Sequence, residues 1–79
     1  MLELRNLQRN GNLIEADYYP ENSVQAGHIV VDIEQEEILS LIEPEGYENS
    51  FMYPSHARNA LLRVVQEEKL PAAYKVMWY

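Results

Sequence analysis

Three observations predict an α+β fold, an antiparallel β-sheet in the order β-β-β-β-α-β with one amphipathic helix packed on one face. Residues 2–43 alternate apolar and polar side chains with period two, broken by turn-forming residues. Residues 54–69 change to a period of 3.6, and residues 72–79 return to a β-rich, apolar alternation. A sheet with a helix laid on one side is the simplest arrangement that buries both apolar faces.

The first strand carries Leu2, Leu4 and Leu7 and runs into Arg9-Asn10-Gly11-Asn12. The Asn-Gly pair tolerates the positive φ that a two-residue hairpin demands. Residues 13–19 form the second strand, with Ile14, Ala16 and Tyr18 on one face and Leu13, Glu15, Asp17 and Tyr19 on the other. Pro20 ends it, having no N–H to donate. Residues 20–27 have the composition of a loop. In residues 28–34, Ile29, Val31 and Ile33 then oppose His28, Val30, Asp32 and Glu34. Asp32, Glu34, Glu36 and Glu37 would repel one another if buried but are harmless at a solvated hairpin tip, which predicts a turn around residues 34–37. The fourth strand, residues 37–43, sets Ile38, Ser40 and Ile42 against Leu39 and Leu41 before Pro44 and Gly46 close it.

At 100° per residue, Ala57, Ala60, Leu61, Val64 and Val65 fall in one apolar arc, with Asn59, Arg63 and Gln66 opposite. The helix is expected from Pro54 to about Lys69, with Pro54 in its first turn and Ser55 available as a cap, and Leu70-Pro71 stops it. In the last strand Tyr74, Val76 and Trp78 alternate with Lys75, Met77 and Tyr79. A helix running back along the sheet delivers that strand beside the first, predicting the order 5-1-2-3-4.

With 79 residues the chain reads as a single domain, 1–79, and a domain this short buries only roughly 60% of its unfolded surface. The lack of cysteine removes disulfides, a thiolate nucleophile and cysteine metal sites, which favours a cytoplasmic address. The opening Met1-Leu2-Glu3 has no basic stretch leading into an apolar run, and no apolar run approaches the roughly 20 residues of a membrane helix, so a soluble, unprocessed chain without a membrane partner is expected.

The net charge of −7 is concentrated. Residues 1–31 hold four acids and two bases, residues 49–79 two acids and four bases, so the flanks cancel. Residues 32–48 hold Asp32, Glu34, Glu36, Glu37, Glu43, Glu45 and Glu48 with no Lys or Arg. Phosphate backbones require clustered bases, so nucleic acid is not an expected partner.

Four features invite chemistry. Ser55-His56 looks like a nucleophile and its base, but neighbours on a helix point 100° apart and no third group orients the imidazole, so the pair reads as a helix start. His28 is the other histidine open to a general-base reading. Asp32, Glu34, Glu36 and Glu43 partly imitate a calcium loop, yet its sixth position, which needs glycine, is Glu37. Gly11, Gly27 and Gly46 lie too far apart to cradle a phosphate, and of the aromatic residues, numerous for this length, about half alternate onto the core face, a protein-binding patch being their functional alternative. No cofactor and no metal are expected.

Five strands span more than one helix of about 10 Å width covers, which predicts leftover sheet surface. The face opposite the helix is expected to hold Leu13, Tyr19, Val30, Leu39, Leu41, Met77 and Tyr79 among charges, and apolar patches of that kind mark association. The sequence thus predicts a small non-catalytic protein-interaction domain, binding through the acidic hairpin (Asp32, Glu34, Glu36, Glu37) or the apolar sheet face. Its partner is a protein of basic character or a second copy, giving a homodimer. An acidic inhibitor or mimic that blocks a basic site is the alternative, and a hydrolase-like enzyme using His56 is the third reading.

Overall fold

A computed structural model describes residues 1–21, 23–48 and 51–77. Its elements are β1 (Leu2–Asn10), β2 (Leu13–Pro20), β3 (Gly27–Asp32), β4 (Glu37–Ile42), α1 (Met52–Val64) and β5 (Ala73–Val76). The strands form one antiparallel sheet in the order β4-β3-β2-β1-β5, as the sequence predicts, and α1 packs against it. Trp78 and Tyr79, expected in the last strand, lie outside the described residues.

The core forms where the two periodicities meet. Leu2, Leu4, Ile14, Ala16, Tyr18, Ile29, Val31 and Val76 of the sheet pack against Ala57, Ala60, Leu61 and Val64 of the helix, all essentially inaccessible to solvent. Small residues at Ala57 and Ala60 bring the helix close to the strands, and truncating a buried leucine such as Leu61 to alanine costs about 2–5 kcal/mol. The helix touches all five strands, so it reaches further across the sheet than its width alone predicts. Successive strands twist relative to one another, which draws the outer strands toward it.

Two irregularities reset the alternation. In β1, Arg5 pairs with Asp17 and Gln8 with Glu15, so Asn6 and Leu7 together oppose Ala16. Asn6 takes φ 57°, the left-handed region asparagine tolerates, and donates its Nδ2 to Asp17 Oδ2 at 2.8 Å. The extra residue returns Leu7 to the core side alongside Leu2 and Leu4.

In β4, Val30 pairs with Ser40 but Val31 with Ile38, leaving Leu39 as the bulged residue. Leu41 then pairs with Ile29 and packs on the core, while Leu39 and Ile42 are 54% and 63% exposed. This corrects the expected placement of Leu41 on the face opposite the helix. A bulge inserts one residue and inverts every side chain beyond it.

Four boundaries also move. β3 ends at Asp32, where Ile33 and Glu34 were expected to continue it, and a four-residue turn follows in which Asp32 Oδ1 accepts the Gln35 N–H at 3.0 Å. The first hairpin pairs Asn10 with Leu13, so its loop is Gly11-Asn12, and of the Asn-Gly pair only Gly11 takes positive φ, 58°. α1 begins two residues before Pro54, with Phe51 as its N-cap, and Ser55 N–H donates to the Phe51 carbonyl, so Ser55 is not the cap. Pro54 still sits where its missing N–H has no intrahelical partner. The helix ends at Val64, short of Lys69, because residues 66–69 are polar and offer nothing to bury; Gln66 and Glu67 N–H groups close the end on the Arg63 and Val64 carbonyls.

Candidate functional site

The sheet face away from α1 is more polar than its apolar members suggest. At its centre His28 lies between two carboxylates of the neighbouring strand, Nδ1 2.8 Å from Asp17 Oδ1 and Nε2 3.4 Å from Glu15 Oε1. Strand pairing makes this arrangement: Asp17 stands directly opposite His28 in the β2–β3 register, and Glu15 is two residues along on the same face. Asn6 and His28 together hold the Asp17 carboxyl below its ordinary range, the Asn6 hydrogen bond contributing most. Both nitrogens of His28 face carboxylates, so neither is left aimed outward at a substrate.

Nearer β5, Arg5 lies 4.5 Å above the centre of the Tyr19 ring and pairs with Glu3, Nε to Oε2 at 3.2 Å. Arg5 holds the Glu3 carboxyl below its usual value, and Lys75, opposite Glu3 in the register, adds to this. A shallow groove of about 140 Å³ lies here, lined among others by Glu3, Arg5, Tyr19, Glu21 and Lys75. Its acids and bases nearly balance, so it favours no charge of ligand.

The outer margin at β4 differs. Among the described residues β4 ends the sheet, touches no element but β3 and α1, and exposes Leu39, Ser40 and Ile42. It lies inside the segment holding the seven carboxylates and no base. Glu34 and Glu36 stand before it, Glu36 with φ 58°, Glu37 is its first residue, and Glu43 and Glu45 follow it. Asn12 Nδ2 donates to Glu34 Oε2 at 2.8 Å and Asp32 caps the turn, so two of the four acids of the predicted hairpin site hold the turn itself while Glu36 and Glu37 remain exposed.

Of the predicted sheet-face residues, Leu13, Tyr19 and Val30 stand half-buried on the open face, Met77 is 59% exposed, and Leu39 is exposed on the β4 margin. Among the described residues Glu15, Asp17, His28 and Lys75 interrupt them, so these form no continuous apolar patch. Leu41 is partly buried and packs against the core, and Tyr79 lies outside the described residues. Sequence reasoning missed Ile42, which strict alternation assigns to the core, and the exposed Phe51 and Met52 at the start of α1, 87% and 48% accessible. Ser55 and His56 follow one another within α1 and point in divergent directions. Among the described residues there is no group of three side chains able to hold a metal ion, and no helix long and apolar enough to cross a membrane.

No protein family, curated protein or solved structure matches this chain.

Proposed function

We propose that this chain is a small non-catalytic protein-interaction domain whose acidic margin, residues 32–48, meets a basic protein partner. The observation that carries this reading is the exposure of Leu39 and Ile42 on a terminal strand within the one segment that holds the whole net charge. Terminal strands of soluble sheets are ordinarily guarded by Lys, Pro or a covering loop, and two large aliphatic side chains at such a place gain from being covered. Seven carboxylates without a counter-charge supply a field that speeds encounter with a basic surface. An inhibitor that blocks a basic site would use the same margin and differ only in what its partner does. A second copy fits less well, since it would set glutamates against glutamates.

The test compares the wild-type chain with the Glu34→Gln, Glu36→Gln, Glu37→Gln triple variant as bait in the native cell extract at low and physiological salt. Basic proteins are expected on the wild type at low salt, reduced on the triple variant and as salt shortens the Debye length to about 8 Å. Equal recovery by both baits at both salts would overturn the reading.

A further inference from the structure

We infer that the partner meets this chain as an added β-strand: an extended segment with Lys or Arg at both ends and apolar residues between lies along the outer side of β4. The inference rests on the interaction reading above and names its mode. β4 is a terminal strand whose only element contacts are β3 and α1, so the backbone of its outer side has no strand neighbour among the described residues. Such an edge templates a further strand, with main-chain hydrogen bonds giving affinity and alternate side chains giving specificity.

Charge selects the occupant. Glu36 and Glu37 stand at one end of β4, Glu43 and Glu45 at the other, and no base lies between. A second β4 laid alongside in either direction brings acids opposite acids, whereas a strand with bases at its ends finds opposite charge at both. Between those ends Leu39 and Ile42 present exposed aliphatic surface, which matches an apolar centre. Six residues of strand span about 20 Å, so the segment needs about six to eight residues. The bulge at Leu39 interrupts the ladder, which keeps the backbone pairing short and leaves charge a large share of the affinity.

The experiment titrates the isotopically labelled full chain with a synthetic peptide of about eight residues, lysines at both ends and alternating Val and Thr between. A second peptide of the same sequence carries N-methyl groups on alternate inner residues, which removes backbone donors without changing charge. Strand addition predicts amide shifts centred on residues 36–43, about tenfold weaker binding of the N-methylated peptide, and weaker binding of both to the Glu36→Gln, Glu37→Gln variant. Equal affinity for the two peptides, or shifts confined to the face around His28 and Asp17, overturns strand addition and leaves the interaction reading standing. No binding of either peptide at low salt overturns strand addition as well. The interaction reading falls with it only if the extract comparison also recovers the same proteins on both baits.

Discussion

Gly27 shows how one residue can fix a local packing arrangement. Its hydrogen atoms face the ring of Tyr18, its partner across the β2–β3 pair, and a Cβ built there would stand 2.5 Å from that ring and 2.6 Å from the Ile42 carbonyl oxygen. Neither neighbour yields easily, because Tyr18 is 1% exposed and the carbonyl belongs to backbone. Gly27→Ala is therefore expected to lower stability by about 1–3 kcal/mol, the usual cost of overpacking. At about 4–8 °C per kcal/mol for a domain of this size, thermal melting followed by circular dichroism resolves the loss easily. An unchanged midpoint would mean that the ring can swing away. In the sequence Gly27 resembles ordinary loop glycine, since only the partner strand reveals what lies above it.

The bulges set the consequences at the scale of the element. Pattern alone gives two equally good readings of residues 37–42, because Ile38, Leu39, Leu41 and Ile42 are apolar on either phase. The structure places Ile38 and Leu41 inward and Leu39 and Ile42 outward. Leu41→Glu is accordingly expected to lower stability by about 1–3 kcal/mol by setting a charge against the core beside Ile29, whereas Leu39→Glu should stay within about 0.5 kcal/mol of the wild type. Chemical denaturation of the two variants separates the faces. Comparable stability of both would place the bulge elsewhere. In β1 the same device is partly legible, since the spacing of Leu2, Leu4 and Leu7 cannot be kept on one face without an extra residue, and Asn6 is the residue able to adopt the required φ.

For the whole molecule, the structure sets opposite limits on stability at the two ends of the pH scale. Asp17 titrates below its ordinary value in the folded state because of its hydrogen bonds from Asn6 and His28. Its contribution is therefore present above the unfolded pKa, near 4, and is lost as pH falls through the lower folded value. Burial, aided by Glu43, pushes the Tyr18 phenol from 10.0 up to about 12. That contribution is complete below pH 10 and disappears as pH rises through about 12. Melting temperature against pH should thus fall at both ends, with Asp17→Asn flattening the acid limb and Tyr18→Phe the alkaline one. A Tyr18→Phe variant that loses stability over the same alkaline interval as the wild type would show that another group controls that limb.

The order of elements, the neighbour relations of the strands, most of the core and the position of the charge are legible along the chain before any folding is known. These follow from local periodicity, from turn residues and from the chain's need to bury two matching apolar faces. The acidic segment is visible there too, because charge needs no coordinates. Only the folded chain reveals which side of β4 faces out, that His28 is set between Glu15 and Asp17, that α1 reaches every strand, and where that helix stops. Each of these depends on a neighbour distant in sequence. A bulge is a mismatch between two strands, a cross-strand cluster is a register, and the end of the helix is set by where apolar surface remains to be covered; alternation within one segment carries none of that information.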